Sequence, residues 1–492
     1  MARHRVILAM IGMCMFVVLG QWPGQAVGEV NVDVGGVHVH VGDGSPPPPE
    51  GVEVLTRGPV HEAFAQPVIM DEGAGFMINH KPPAPLDEII PDDKPAGNHI
   101  VWIPGYWSWD SDRGDFIWVS GCWRAVPPNS SWVPGYWAEG RGGYQWIAGF
   151  WTTADTEEIE YLPAPPATLE EGPQGAGSPD SIWIPGCWVR HEDRYVWRPG
   201  FWEQARSNWV WEPAHYVSTP RGWVYVEGYW DYPLDRRGVA FLPVYCSPSL
   251  YGRADFRYSP DIVLDLDALT LNLFISPERH HYYFGDYYGS EYSRQGYSPW
   301  YEVREHHDWY DPIFIHQQWQ HRDDHQWVNH QREGYDHRRD DKSLRPARTY
   351  ESMRTQVAHL PEKDRNEVRL ARPMKEVVSA KTTPFKFETL DTKRHEETAS
   401  RDKEVRDYKD KRSQWESPSA APKVQKVKIP KPPVAVREPL RDKDLTPPPK
   451  PNQPNPDPDA QPRHTKDAPD RSRDNDRSDK NRDKDKPESK EK

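Results

Sequence analysis

A six-residue pattern, Trp-x-x-Gly-x-Trp, recurs six times in full and twice in degenerate form between residues 102 and 230. Successive copies start 16, 14 and 14 residues apart, then 37, and then 14, 14 and 14. The array therefore forms two sets of four units, at residues 99–151 and 182–235, separated by an acidic, Pro/Gly-rich linker at 152–181. A repeat this regular predicts a series of similar small units that bury apolar faces against one another.

The repeat supplies fourteen tryptophans, and seven of its eight copies keep the central glycine. In the degenerate copies, Tyr216 and Tyr225 stand in place of Trp, and Ala214 stands in place of glycine. The tryptophans are Trp102, Trp107, Trp118, Trp123, Trp132, Trp137, Trp146, Trp151, Trp183, Trp188, Trp197, Trp202, Trp211 and Trp230. The glycines are Gly105, Gly121, Gly135, Gly149, Gly186, Gly200 and Gly228.

The centre of the motif, often Pro-Gly, is typical of a type II turn in which glycine takes a positive φ. A glycine bulge inside a longer strand is the alternative. Either arrangement would bring the two tryptophans of one motif together. Polar or glycine-rich residues between motifs, as at 140–143 and 191–194, predict further turns. We therefore expect a mainly β fold, an antiparallel meander of short strands that carries the tryptophans as a cross-strand ladder.

The ladder has two interpretations. The tryptophans either form the core that holds short strands together, or present a stacking platform to sugar rings or another planar or apolar partner. Nucleic acid is not expected as a partner, because residues 100–235 contain eight Arg and no Lys against 18 Asp and Glu. An envelope glycan, another envelope polymer or a protein is the expected partner.

Two of the four cysteines, Cys122 and Cys187, occupy the same motif position in different repeat sets. In an oxidising compartment this equivalence suggests a disulfide that clamps the two sets. Cys246 would then remain as a free thiol. The sequence has no Cys-x-x-Cys pair, which argues against a zinc ribbon or a thioredoxin-type motif.

The N-terminus resembles a signal peptide at residues 1–26, with basic residues at 3–5 and an apolar run from Val6 to Leu19. That run is short for a membrane span, and small residues favour cleavage after Ala26. No later segment is apolar enough to cross a bilayer. We therefore expect an exported protein, located in the periplasm, on the cell surface or outside the cell, with no integral span after cleavage.

The remaining segments differ in composition. Residues 27–98 predict a short β-hairpin followed by a Pro-rich linker, and the Tyr/His-rich segment 236–341 predicts one or two strands and a helix. A helix near 312–337 would place His321 and His325 four residues apart, a spacing that suits metal binding. Residues 342–492 predict a long disordered tail with 38 Lys and Arg against 28 Asp and Glu. This basic tail would act as a solvated spacer, attract acidic envelope polymers, or fold back on the acidic body.

The eight motifs resemble the WxxGxW (or YxWGxW) repeat proteins, a family of exported bacterial proteins, over about residues 99–235. The resemblance implies export but transfers no catalytic residues and no cofactor. We therefore expect a non-enzymatic exported protein with a structural or interaction role at the cell envelope, in which the Trp ladder could bind glycan. The alternatives are a His-rich metal-binding protein and, third, an enzyme that acts on envelope polymers.

Overall fold

The computed structural model describes residues 37–40, 50–71, 75–304, 309–380, 383–418, 424–436 and 446–460. The predicted signal peptide at 1–26 lies outside the described residues, as does the last part of the predicted tail, 461–492. Among the described residues, no helix combines the length and the apolar character that crossing a membrane would require.

Six short strands precede the repeats: β1 (Val37–His40), β2 (Val52–Val54), β3 (Gly58–Pro59), β4 (Val68–Ile69), β5 (Met77–Ile78) and β6 (Asp93–Pro95). Each pairs with a strand later in the chain, and β1 does so in parallel with residues 256–259. The first half of the predicted hairpin, residues 32–36, lies outside the described residues, and its second half, β1, pairs with residues 256–259. Strand β5 pairs with repeat residues 144–145, and the other five strands pair with segments that follow the repeats.

The eight motifs fold in pairs, and each pair of motifs forms one long β-hairpin. Within each hairpin, the first strand pairs with the fourth and the second with the third, all antiparallel. The first hairpin contains β7 (Ile100–Ile103), β8 (Tyr106–Asp110), β9 (Asp115–Val119) and β10 (Cys122–Ala125). The second contains β11 (Ser130–Val133), β12 (Tyr136–Gly140), β13 (Gly143–Ile147) and β14 (Phe150–Thr153).

The linker between the repeat sets contains a strand of its own, β15 (Glu158–Leu162), which pairs with the fourth hairpin. The third hairpin contains β16 (Ser181–Ile184), β17 (Cys187–His191), β18 (Arg194–Arg198) and β19 (Phe201–Gln204). The fourth contains β20 (Val210–Glu212), β21 (His215–Thr219), β22 (Gly222–Val226) and β23 (Tyr229–Asp231). The antiparallel, mainly β fold class is confirmed, but its units are double-motif hairpins instead of a continuous meander.

The segment 236–341 is richer in structure than predicted. Its strands are β24 (Gly238–Ala240), β25 (Val244–Cys246), β26 (Phe256–Ser259), β27 (Ile262–Leu264), β28 (Leu273–Ser276), β29 (His281–Phe284), β30 (Ser298–Pro299) and β31 (Trp309–Tyr310). Its helices are α1 (Pro248–Tyr251), α2 (Leu266–Leu271), α3 (Ser290–Arg294), α4 (Pro312–Gln320) and α5 (Trp327–Asp340). Short 3-10 helices span Leu234–Arg236, Pro277–Arg279 and Trp300–Arg304.

The largest buried cluster joins this segment to the first two hairpins. It brings together Trp118 and Trp132 from the repeats with Val244, Tyr282 and Phe314. Helix α4 also packs against the third and fourth hairpins, through β16 and β20. The Tyr/His-rich segment is therefore part of the core around which the hairpins are arranged.

The predicted disorder from Lys342 onward is corrected for the described residues up to 460. After a 3-10 helix at Lys342–Leu344, they form α6 (Tyr350–His359), α7 (Glu362–Val368), β32 (Ala371–Pro373), α8 (Met374–Ser379), β33 (Phe387–Thr389), α9 (Thr392–Trp415) and β34 (Gln425–Lys428). Tyr408 and Arg412 on α9 are buried, although composition alone marks this helix as a solvated segment. The basic tail folds back on the acidic body, where Lys426, Lys431 and Lys450 pair with glutamates.

Candidate functional site

Each hairpin holds two cross-strand aromatic pairs, and both pairs join residues of neighbouring motifs. In the first hairpin, Trp102 lies opposite Trp123 and Trp107 opposite Trp118, with ring centroids 5.3 and 5.2 Å apart. The other pairs are Trp132–Trp151, Trp137–Trp146, Trp183–Trp202, Trp188–Trp197, Trp211–Trp230 and Tyr216–Tyr225. The expected cross-strand pairs are present, but the two tryptophans of one motif belong to different pairs.

The recurrence of glycine at the centre of the motif has a different cause from the one predicted. None of the seven motif glycines has a positive φ. Each instead lies against the first indole of the partner motif. A Cβ on Gly135 would lie 2.6 Å from Trp146, and one on Gly186 would lie 2.5 Å from Trp197. Gly105, Gly121, Gly149, Gly200 and Gly228 have the same contact with Trp118, Trp102, Trp132, Trp183 and Trp211. Glycine is required because the ring occupies the place of a side chain.

The fourth hairpin contains the exception that fits this explanation. Its motif with Ala214 in place of glycine faces the motif whose first aromatic residue is Tyr225 in place of Trp. Ala214 lies in a small buried cluster against which Tyr225 packs. Gly228, in the same hairpin, still faces a full indole, that of Trp211. The smaller ring of Tyr225 thus occurs with alanine, whereas the full indole of Trp211 occurs with glycine.

In each of the first three hairpins, the strands are interrupted at the motif glycines. A buried carboxylate from outside the motifs accepts hydrogen bonds at each of these interruptions. Glu62 accepts hydrogen bonds from the backbone N–H groups of Gly135 and Gly149 and from Trp146 Nε1, each at 3.0 Å. Glu88 accepts from Gly105, Gly121 and Trp118 Nε1 at 3.1–3.3 Å. In the third hairpin, Glu170 accepts from Gly186 N at 2.5 Å and from Trp183 Nε1 at 2.9 Å.

These carboxylates satisfy the polar groups that a strand break would otherwise bury without partners. Burial raises the pKa of Glu62 and of Glu88 from 4.5 to about 7, against the lowering effect of their hydrogen bonds. Sequence reasoning missed all three because they lie outside the repeat. The available signal was an acidic residue among apolar ones, as at Glu62 between Val60 and Phe64.

Most of the Trp ladder is core. Twelve of the fourteen motif tryptophans are buried, and only Trp137 and Trp202 are partly exposed. Trp102, Trp118, Trp123, Trp132 and Trp211 expose no more than 1% of their surface. Burial therefore excludes a continuous stacking platform along the repeats. Among the motif tryptophans, only Trp137 and Trp202 could contact a ligand at the surface.

One of the two partly exposed rings lines an aromatic cavity between the third hairpin and helices α4 and α5. The cavity has a volume of about 370 Å³ and is lined by Trp183, Trp202, Trp309, Tyr310, Trp319 and Trp327, among others. Trp202 Nε1 donates to Gln174 O at 2.9 Å, which fixes the orientation of its ring. Its ring lies 5.5 Å from that of Trp183 at 72°. Tyr310 Oη donates to Trp183 O at 2.8 Å and joins the cavity wall to the hairpin.

Polar side chains surround the aromatic wall. Ser181, Gln318, Arg322 and Asp324 line the same cavity, and the Arg322 guanidinium lies 4.7 Å from the centre of the Trp319 ring. Arg322 also forms an ion pair with Asp180 at 3.4 Å. An aromatic floor with a polar rim suits a ligand that has both apolar faces and hydroxyl groups.

His321 and His325 also line this cavity, but not as two ligands on one helix face. Helix α4 ends at Gln320, so the predicted continuous helix is interrupted at 321–326. His321 Nδ1 is 2.9 Å from Gln317 O, and its ring stacks on Trp327 at 4.9 Å. In the part of the chain that the structure describes, no group of three or more His, Cys, Asp or Glu residues is arranged to hold a metal ion.

The predicted Cys122–Cys187 disulfide is not present, which corrects the sequence-based expectation. Cys122, Cys187 and Cys246 are all free and buried. Cys122 pairs across strands with Ile103 and Ala240, whereas Cys187 lies opposite Arg198 in another hairpin. Equivalent motif positions in different hairpins do not meet, because pairing occurs within a hairpin. Burial raises the pKa of Cys187 to about 11 and that of Cys246 to about 12.

These features define a tryptophan-repeat β protein whose structural unit is a hairpin of two motifs. Residues 101–124, 132–152, 182–203 and 206–230 match the family described as WXXGXW repeat (2 copies). These four segments are similar to the WXXGXW repeat family, and each of them coincides with one hairpin. Neither the curated proteins nor the solved structures include a significant match to the chain.

Proposed function

We propose that this chain is a non-enzymatic exported protein with a structural or interaction role at the cell envelope, and that it binds glycan at the aromatic cavity around Trp202. Export rests on the N-terminal sequence and on the resemblance to exported repeat proteins. The hairpins supply a rigid body, and the cavity supplies the contact surface.

The observation that carries this proposal is the combination of indole rings and polar groups in one cavity. Trp202 and Trp319 offer aromatic faces on which the C–H groups of a sugar ring can pack. Ser181, Gln318 and Asp324 supply hydrogen-bonding groups for sugar hydroxyls. The cavity replaces the Trp ladder as the proposed platform, because twelve of the fourteen motif tryptophans are buried.

The proposal is tested with the purified full-length chain and a panel of envelope oligosaccharides, by isothermal titration calorimetry. We expect at least one oligosaccharide to bind, and Trp202→Ala to weaken its binding at least tenfold. Arg322→Ala, at the exposed rim, should weaken it less.

Trp137→Ala is the matched control, because Trp137 is also the second tryptophan of its motif and is also partly exposed. It lies in the second hairpin, away from the cavity, and should leave the affinity within twofold of the wild type. An equal loss of affinity in both Trp variants, or no binding across the panel at millimolar concentrations, would contradict glycan binding at this cavity.

Export is tested separately. When the full gene is expressed in a bacterium with a cell envelope of its own, the mature protein should begin at Val27 by N-terminal sequencing of the extracytoplasmic fraction. A protein that retains residues 1–26 in the cytoplasmic fraction would refute the proposed export.

A further inference from the structure

A proline-rich segment of the tail lies across the second repeat set. Residues 446–460, here called the proline strap, contain seven prolines in fifteen positions. The strap has no regular helix or strand, apart from an isolated antiparallel bridge between Asp457 and Trp197. It passes over the fourth hairpin first and then over the third.

The strap is held by two hydrogen bonds to its backbone, one to the Gln453 side chain and one ion pair. Trp230 Nε1 donates to Pro449 O at 3.1 Å, and Lys450 Nζ lies 2.7 Å from Glu227 Oε2. Further along, Asp457 N donates to Trp197 O at 2.6 Å. Arg198 Nη1 donates to Gln453 Oε1.

Apolar contacts accompany these bonds. Pro451 is buried, and Ala460 packs against the cluster that contains Trp188 and Trp197. A proline-rich segment is already extended before it binds, so it loses little conformational entropy on docking. An aromatic groove whose indole donates to a proline carbonyl is a general means of recognising such segments.

The strap is nevertheless bound weakly to the hairpins. Lys450 and Glu227 remain 57% and 61% exposed, so their ion pair contributes little by itself. A cavity of about 400 Å³ lies beside Pro447 and Pro448, lined also by Trp151, Tyr225 and Trp230. The strap therefore lies over this cavity without filling it.

We propose that the groove formed by Trp197, Arg198, Glu227 and Trp230 is a receptor for extended, proline-rich peptide segments that carry a basic residue. The proline strap occupies this receptor within the same molecule. A proline-rich segment of another protein chain, with a lysine in register with Lys450, displaces the strap and docks in its place. Binding in trans is consequently weakened by the competition from the strap.

The test uses the full chain and a fluorescein-labelled synthetic peptide with the sequence of residues 446–460, followed by fluorescence anisotropy. The release variant combines Lys450→Glu with Pro449→Gly and Pro451→Gly, so that both the ion pair and the extended conformation of the strap are lost. We expect this variant to bind the peptide at least tenfold more tightly than the wild-type chain. An affinity equal to that of the wild type would overturn the proposal.

Two controls separate specific docking from adhesion to an exposed aromatic surface. Adding Glu227→Gln to the release variant removes the anion that faces the lysine of the peptide, and should lower its affinity for the peptide at least twofold. A peptide with Lys450→Glu should bind the release variant at least fivefold less tightly than the original peptide. Equal binding in either comparison would show that the groove does not recognise the basic residue, which refutes the receptor as proposed.

Discussion

At each motif glycine, the contact that matters is with an indole ring of the neighbouring motif. The ring packs over the Cα atom, and the backbone N–H groups of paired glycines point to a shared carboxylate in the first two hairpins. The glycine therefore serves close approach and not a left-handed backbone conformation. The loss of stability on substituting a glycine should therefore depend on how close the neighbouring ring lies, and not on the position of the glycine in a turn.

Gly121→Ala should lower the free energy of unfolding by about 3 kcal/mol, because overpacking forces fixed groups to move. The added Cβ would overlap the Trp102 ring and lie 2.7 Å from Ile103 O, and Trp102 is almost fully buried. Gly140→Ala is the control, because its nearest neighbour would be 3.9 Å away. Urea denaturation followed by Trp fluorescence compares the two. Similar stabilities would contradict the role of the indole contact.

The carboxyl group of Glu62 should make stability depend on pH. Its pKa is raised from 4.5 in the unfolded chain to about 7 in the fold by burial. The folded state therefore holds the proton more tightly, and the contribution of this group falls as pH rises from about 4.5 to about 7, by up to about 3 kcal/mol. His61 and His281, whose pKa values burial lowers to about 4, act in the opposite direction below pH 6.5.

A variant isolates Glu62 from these histidines. The stability of the wild type minus that of Glu62→Gln should decrease between pH 4.5 and 7 and stay constant above pH 7.5, in urea unfolding at each pH. Glu139→Gln, at the exposed tip of the second hairpin, is the control for the exchange of a glutamate for glutamine. A stability difference that stays constant from pH 4.5 to 7 would mean that the pKa of Glu62 is the same in the folded and unfolded states.

At the scale of the elements, the sequence predicts the strands and the cross-strand aromatic pairs but not which motifs pair. A uniform 14-residue spacing allows a motif to pair equally well with the preceding or with the following motif. The segments at 140–143 and 191–194 that predict turns are both hairpin tips, whereas the link between the first two hairpins contains Pro127 and Pro128. The partners of Glu62 could not be read from the repeat because they are distant in sequence, 84 residues away in the case of Trp146, whereas Glu170 and Trp183 are only 13 residues apart.

The hairpin as a unit predicts a coupled substitution. Tyr225→Trp should lower the free energy of unfolding by about 2 kcal/mol, because the larger ring meets the Cβ of Ala214. Combined with Ala214→Gly, which recreates the arrangement of the other hairpins, Tyr225→Trp should be neutral or stabilising. A double-mutant cycle in urea measures the coupling, expected to be at least about 1 kcal/mol. Additive effects would indicate that the two positions do not constrain each other.

At the scale of the whole molecule, helix α9 connects parts that are distant in sequence. Asp402 accepts a hydrogen bond from Trp102 Nε1 of the first hairpin at 3.2 Å. Arg412 Nη1 donates to Pro134 O and Ala148 O of the second hairpin at 2.9 and 3.0 Å. Glu416 accepts from Tyr161 on β15 at 3.0 Å. Composition did not predict this role, because α9 is mostly charged and buries only a few residues, among them Val405, Tyr408 and Arg412.

The buried ion pair at the end of α9 therefore provides a test of whether the tail stabilises the repeats. Arg412 and Glu416 lie 3.0 Å apart and are fully buried. Arg412→Ala leaves the Glu416 carboxylate without its cation and should cost about 4 kcal/mol, measured by Trp fluorescence in urea. Arg412→Met with Glu416→Gln removes both charges and should recover at least half of that loss, whereas the exposed Lys411→Ala should change little. If Arg412→Ala leaves the fluorescence transition of the hairpins at the wild-type midpoint, the repeats fold independently of α9.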